Sequence, residues 1–303
     1  MPAAATVVAI VGPTASGKSP LAVDVALALG GEVVNADAFQ LYRGMDVGTA
    51  KPTTAERRGV PHHLLDVLDV TQEATVAAYQ REATAALADV SERGRWPLLV
   101  GGSGLYVRAV LDGLEIPPTD PAVRARLEAE LADAGPATLH TRLAVVDPAA
   151  AVAILPSNGR RIVRALEVVE LTGAPFRATM PDCAYALPAV QVGLDVPRDV
   201  LDARIEARVD RMWRAGLVDE VRELEARGLR RGRTAARALG YAQVLRMLDG
   251  ELSDDEARAD TVTATRRYAR RQESWFRRDR RITWLSFDAP DLVDRVLAVV
   301  SSS

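Results

Sequence analysis

The segment Gly12-Pro13-Thr14-Ala15-Ser16-Gly17-Lys18-Ser19 has the spacing G-x-x-x-x-G-K-S/T of a phosphate-binding loop. Successive backbone N–H groups at a helix start form a concave anion site. Lys18 adds a mobile positive charge, and the Ser19 hydroxyl can ligate Mg²⁺. The pattern specifies a phosphate chain as ligand without specifying ATP. A nucleotide hydrolase would add an apolar strand ending in Asp, yet the run from Trp96 to Val100 ends in Gly101-Gly102-Ser103-Gly104. Glycines at that strand end let a substrate approach the backbone, where the Ser103 hydroxyl can touch it; a tight turn is the plainer reading. Asp66 is another acid in reach of the argument, and equally an ordinary loop carboxylate. Asp37 directly follows a second strand, at the edge where open parallel sheets bind ligands. There it can hold Mg²⁺, cap a turn, or act as a general base.

Basic residues form the other candidates. Arg204 and Arg208 lie one helical turn apart, a spacing suited to diphosphate oxygens and also to a solvated face. Eight arginines fall between Arg266 and Arg281 against Glu273 and Asp279, a local balance of +6 in a chain whose net charge is −3. Arg266, Arg270 and Arg277 follow i, i+4, i+11, as do Arg267, Arg271 and Arg278, with Tyr268 and Trp275 interleaved. A wide helical band with no compensating acid on it points to phosphate-backbone contact. The adjacent His62 and His63 lack metal-pair spacing and read as structural.

Elements must position these groups. Thr6–Val11 is a buried strand before the loop, and a helix from Lys18 to Leu29 follows it, with Pro20 in its first turn. Glu32–Ala36 and Trp96–Val100 are further strands, separated by a helix from about Thr75 to Arg93. Strands alternating with helices argue for an α/β fold with a parallel sheet. From Pro117 the texture becomes helical, with helices over 120–134, 138–145 and 160–171, until a strand over 190–196 returns to the sheet. Helices over 199–227, 234–249 and 254–278, a strand over 282–287 and a helix over 292–300 close the chain. The expected division is a core of 1–115 with 185–303 and a helical insertion domain over 116–184.

The 303 residues are 48 % hydrophobic and 26 % charged, a globular composition without a membrane-length apolar run. Residues 1–5 carry no basic n-region, so no signal peptide is expected. The single cysteine, Cys183, excludes an intramolecular disulfide and fits a reducing cytoplasm.

Taken together, GPTASGKS, NADAFQLYRGMDVGTAKP, GGSGLYVRAVLDGL, ALGYAQ and TRRYARRQESWFRRD resemble the tRNA dimethylallyltransferase family, in family order from about Val8 to Trp284. The resemblance implies a P-loop NTPase-like core with a helical insertion, and transfer of a dimethylallyl group from its diphosphate to the N6 amine of the adenosine 3′ of the anticodon, tRNA position 37. It implies diphosphate on Gly12–Ser19 and on Arg204 or Arg208, Mg²⁺ on Ser19, and Asp37 as base. Asp37, Ala38, Phe39, Gln40, Ser103, Arg124, Asn158, Gly159, Arg160, Arg161, Ile162, Arg237, Gly240 and Tyr241 match positions expected at the tRNA, joined there by Arg267, Arg271 and Arg278. A cytoplasmic monomer is expected, with tRNA and dimethylallyl diphosphate as partners and no membrane. Ala38 and Ser103 replace a frequent Ser and Thr, and Pro20 is unusual after the loop; no charged group is lost. The family's leaving group also accounts for the missing strand-end acid, since no water is activated for phosphoryl transfer. On this reading Lys18→Ala lowers turnover by about two to three orders of magnitude, because its charge is aimed at a departing diphosphate. Binding of tRNA to the same variant stays near wild type in a filter assay; normal turnover assigns the loop the wrong ligand.

Overall fold

The computed structural model describes residues 6–177 and 182–302. Residues 1–5, on which the expectation of no signal peptide rests, 178–181 of the expected insertion, and Ser303 of the serine tail lie outside the described residues. Six strands, β1 (Val7–Val11), β2 (Gly31–Asn35), β3 (His62–His63), β4 (Trp96–Gly101), β5 (Ala189–Asp195) and β6 (Ile282–Ser286), form one sheet in the order β3-β2-β4-β1-β5-β6. Every pairing is parallel, with Ile10 opposite Val100 on one side and Val192 on the other. The fold is α/β.

β1 shows why its residues make a central strand. Val7, Ala9 and Val11 point into one hydrophobic core, Val8 and Ile10 into another, so both faces are buried. The first core is covered by α3 (Val76–Glu92) and α4 (Gly104–Leu111), through Tyr79, Ala83 and Leu87 and through Tyr106, Val107 and Val110. The second is covered by α1 (Lys18–Leu29) and α12 (Leu292–Ser301). Burying Ile10 contributes about 2–3 kcal/mol, so a polar residue here disrupts the sheet at its centre.

Several expected elements divide at glycines. The expected helix over 199–227 is α8 (Arg198–Arg214) and α9 (Leu217–Ala226), broken where Gly216 takes φ 92°. That over 234–249 is a 3₁₀ turn, Ala235–Arg237, followed by α10 (Tyr241–Leu248), with Gly240 at φ 88° between them. α11 (Asp254–Phe276) is as expected, except at its last turn. Unforeseen were α2 (Thr54–Arg57), the edge strand β3, α4, and α6 (Pro148–Ala153).

The described chain separates into two compact units, Met1–Leu114 with Tyr185–Ser303, and Glu115–Ala184. The second contains α5 (Pro121–Val146), α6 and α7 (Gly159–Thr172), and α5 breaks at Gly135 ahead of Pro136. Leu127, Leu139, Leu143, Ile154, Ile162 and Leu166 give it a core of its own. Fully buried beside that core, Glu167 accepts hydrogen bonds from Arg124 and Thr119 at 2.5 Å and from Arg164 at 2.7 Å. Burial alone would raise its carboxyl; these donors outweigh burial and hold it at about 2, against an ordinary 4.5. The stabilisation is therefore complete above pH 4.5 and lost as pH falls from 4.5 towards 2. Glu167→Gln should cost this unit about 3 kcal/mol and remove that acid sensitivity. Amide exchange of residues 116–177 across the pH range tests this, and unchanged protection in the variant refutes it.

Candidate active site

Three chain segments meet the C-terminal edge of the sheet: the loop after β1, Asp37 after β2, and the glycine run ending β4. In the first, Gly12 and Gly17 take φ 140° and 102°, and Ala15 takes φ 63°, which a side chain rarely adopts. The Ser16 N–H donates to the Pro13 carbonyl, and the Lys18 ammonium donates to the same oxygen at 2.5 Å. Burial pulls that ammonium down to about 7; Asp37 partly offsets the fall and Arg208 adds to it. Ser19 is exposed at the start of α1. Among the described residues Lys18 forms no ion pair, and the carboxylate acting on its charge is that of Asp37.

The ends of β2 and β4 touch. A Cβ on Gly101 would lie 2.2 Å from the Ala36 carbonyl oxygen, which explains why that position has no side chain. Asn35 then builds the turn beyond β2: its Oδ1 accepts from the Asp37 N–H at 3.0 Å, and its Nδ2 donates to the Asp37 and Leu64 carbonyls at 3.0 Å. One Asp37 oxygen, Oδ1, accepts from the Phe39 N–H at 2.9 Å. Asp37 therefore does cap its turn, and it does so with one oxygen. Ser103 Oγ accepts from the Ala38 N–H at 3.4 Å, beside Tyr268 of α11.

α11 also supplies Gln272, which reasoning from sequence passed over because it sits inside the arginine run. Its Oε1 accepts from the Thr14 N–H and its Nε2 donates to the Gly102 carbonyl, both at 2.9 Å. Three residues on, Trp275 packs against Gly104, where a Cβ would fall 2.2 Å from the indole. The Gly101–Gly104 run is thus matched by close neighbours at each of its glycines.

α8 brings both expected arginines to the loop. Arg204 reaches the Ser16 carbonyl at 3.4 Å with its guanidinium over Phe287, and Arg208 donates to the Thr49 carbonyl at 2.9 Å. Burial presses the Arg208 guanidinium below its usual range while Asp37 opposes the shift, which places its charge in the field of the same cleft. Gln40 donates to the Thr49 carbonyl at 3.3 Å, closing that side.

Other expected positions serve structure. Asp66 forms an ion pair with buried Lys51 at 2.5 Å, beside Asp46 at 2.6 Å, so it is a loop carboxylate. His63 pairs with buried Glu32 at 2.7 Å and His62 with the Val60 carbonyl. Tyr241 is wholly buried, its hydroxyl donating to Glu220 at 2.5 Å, and Gly240 is buried next to it. Glu220 in turn accepts from the Asp46, Val47 and Gly48 N–H groups. Arg237 is exposed nearby. In the second unit Ile162 is fully buried, which removes its side chain from any surface, and Arg124 is engaged with Glu167. Asn158 caps α7 through the Arg161 N–H, Gly159 packs on Leu131, and Arg160 and Arg161 are exposed.

The arginine band requires a correction. Arg266 pairs with Glu206 at 2.8 Å, Arg270 with Asp202 at 3.6 Å, and Arg277 with Asp195 while lying over Trp284. Acids absent from the helix are supplied by α8 and β5, so one of the two rows is compensated. The other row, Arg267, Arg271 and Arg278, is exposed and forms no ion pair among the described residues. Arg270, Arg271, Ser274, Trp275 and Arg278 line a hollow of about 320 Å³.

A phosphate loop after β1, a capped aspartate after β2, the glycine run of β4 between them and an arginine-faced helix alongside share one edge of the sheet. The family described as IPP transferase matches residues 40–279, most of the chain. The chain belongs to that family. It is 66 % identical to the tRNA dimethylallyltransferase of Thermobifida fusca over 300 residues, covering 97 % of this chain and 94 % of that one. It is equally 66 % identical to that of Kineococcus radiotolerans, over 97 % of this chain and 96 % of the relative. Among solved structures, the tRNA isopentenylpyrophosphate transferase of Bacillus halodurans is similar with TM-score 0.71 and 42 % identity, covering 98 % of this chain and 95 % of that one. A eukaryotic dimethylallyltransferase solved acting on tRNA shares the fold with TM-score 0.81 at 24 % identity, over 97 % of this chain and 78 % of that one. Other IPP transferases thus share both the sheet and the helices that surround this site.

Proposed function

We propose that this chain transfers a dimethylallyl group from dimethylallyl diphosphate to the N6 amine of the adenosine 3′-adjacent to the anticodon, position 37 of tRNA, releasing diphosphate. The observation that carries this reading is an intact phosphate loop after β1 and Asp37 after β2, on either side of a central strand end, that of β4, which holds glycines instead of a hydrolase carboxylate. Such a site holds a diphosphate and offers a base to something else.

Diphosphate occupies the amides of the loop, with Lys18 and Arg208 on its flanks and Arg204 bracing the loop from α8. Its arrival supplies the negative charge that partly buried Lys18 lacks, so the ammonium form is favoured on binding. The Ser19 hydroxyl is exposed and not engaged in a described contact, and no cluster of three metal-ligating side chains exists among the described residues. These residues fit Mg²⁺, which takes few protein ligands and keeps phosphate oxygens and waters. When bound, it would neutralise charge on the leaving diphosphate.

The allylic C–O bond breaks with carbocation character, its electron pair leaving on the diphosphate oxygen. Lys18, Arg208 and the loop amides stabilise that charge as it grows. The adenine amine attacks the allylic carbon, and its proton passes to the second oxygen of Asp37, the one not held by Phe39. A stacked base cannot reach this cleft, so the nucleotide is extruded from the anticodon loop into it. Arg267, Arg271 and Arg278 contact the tRNA backbone, with Arg160, Arg161 and Arg237 as further exposed cations. No helix among the described residues is long and apolar enough to cross a membrane. A cytoplasmic monomer suits a substrate found there.

Replacing Arg267, Arg271 and Arg278 by Ala should flatten the dependence of log affinity for tRNA on log salt by about 2, as three phosphate contacts are lost. The same change at Arg266, Arg270 and Arg277 should alter the slope less and lower the melting temperature more, because those charges are already paired. Equal slopes in the two triple variants argue against the division. For the chemistry, Asp37→Asn keeps the cap on Phe39 through its carbonyl and loses the basicity. The single-turnover rate with labelled dimethylallyl diphosphate should fall by about two to four orders of magnitude, with both substrate affinities nearly unchanged. Near-normal transfer to adenosine in this variant ends the assignment of Asp37 as base, and wild-type enzyme that leaves no label on adenosine ends the proposed function.

A further inference from the structure

Gln272 is 6 % exposed, on the inward side of α11, and its amide spans two loops that no other described side chain joins by hydrogen bonds at both ends. Toward one it accepts from the Thr14 N–H of the phosphate loop; toward the other it donates to the Gly102 carbonyl at the end of β4. Tyr268, one helical turn earlier on the same helix, lies beside both Gln272 and Ser103. Ser103 is in turn the acceptor for the Ala38 N–H, beside Asp37. The fit is tight: a Cβ on Gly102 would lie 2.3 Å from Gln272 Nε2. A primary amide is suited to this place because it accepts and donates at once while carrying no charge.

We propose that Gln272 is a positioning residue for the transfer step, setting the spacing between the loop that holds the diphosphate and the turn against which Asp37 and the acceptor amine are held. This rests on the function proposed above. Neither contact touches a reacting atom. Each fixes one of the two halves that must come together, and the transfer rate depends steeply on their separation: a misplacement of about 1 Å can cost about a hundred-fold. The same helix turns Arg267, Arg271 and Arg278 outward, so the element that meets the tRNA backbone also sets this spacing. The Thr14 amide is committed to Gln272, which leaves the later loop amides to the anion.

The test compares Gln272→Met and Gln272→Glu with wild type. Single-turnover transfer is measured at saturating tRNA and dimethylallyl diphosphate, alongside affinities for tRNA and for inorganic diphosphate and the melting temperature. Gln272→Met removes both bonds at similar volume. Its rate should fall about 10- to 100-fold while both affinities stay within about three-fold. Gln272→Glu places a carboxylate against the Gly102 carbonyl, but once protonated the acid again donates to Gly102 and accepts from Thr14. Its rate relative to wild type should therefore rise as pH is lowered, while the ratio for Gln272→Met stays flat. Tyr268, the titratable group beside Gln272, is pushed up to about 12 by burial and by Asp37 and stays neutral throughout; Lys18 titrates in all three proteins and cancels in the ratio. A folded Gln272→Met variant with wild-type rate overturns the proposal while leaving the proposed function intact. So does a pH-independent ratio for Gln272→Glu, whether or not the methionine variant folds. Wild-type protein that transfers nothing to tRNA removes the function, and this inference with it.

Discussion

A short stretch of backbone between Gly12 and Gly17 sets the terms for the rest of the molecule. Aiming several N–H groups at one anion requires left-handed conformations in close succession, and at Ala15 that costs about 1 kcal/mol or more before anything binds. Such a loop keeps its shape only when its surroundings over-determine it. Here they come from four directions: Lys18 and Ser16 tie back to Pro13, Arg204 reaches the Ser16 carbonyl from α8, Ala15 packs against the cluster of Val196, Leu201, Ile205 and Ala269, and Gln272 takes the Thr14 amide. The sheet below it is fully parallel, and its central strand β1 is buried on both faces, which gives that arrangement a stiff base.

The electrostatics follow the same division. Several arginines around the sheet, Arg198, Arg258 and Arg266 among them, are neutralised by acids from another element, and pairs of that kind at the surface add little stability. Their effect is subtraction: with Arg266, Arg270 and Arg277 compensated, the uncompensated row of that band is Arg267, Arg271 and Arg278. A mildly acidic protein can in this way present a localised basic surface without binding polyanions over its whole area.

The strands of the sheet were legible because burial on both faces demands runs such as Thr-Val-Val-Ala-Ile-Val, and the phosphate loop because its geometry restricts residue types at fixed spacing. The glycines that divide the long helices, Gly216 and Gly240, were visible as letters, but their positive φ depends on the packing around Leu217 and Tyr241. β3 escaped notice because two histidines on an edge carry no periodicity, and α4 because its first residue belongs to a glycine run. The arginine band shows the firmest limit. Arg266 and Glu206 are sixty positions apart, and only the docking of α8 on α11 makes them partners. Gln272 was obscured for a similar reason: its two partners lie 258 and 170 residues away.

Where the chain leaves the sheet-bearing unit and where it returns are adjacent: the Ala186 N–H donates to the Leu111 carbonyl at 2.8 Å, and a Cβ on Gly113 would nearly touch Ala186. The intervening helices carry their own core and their own buried charge cluster. A segment attached through a single doorway of this kind is a cassette. It can be lengthened, trimmed or exchanged without altering the order or register of any strand, because loop closure across the opening stays short whatever lies beyond it. The sheet edge that holds the phosphate loop and Asp37 is built from residues outside that segment.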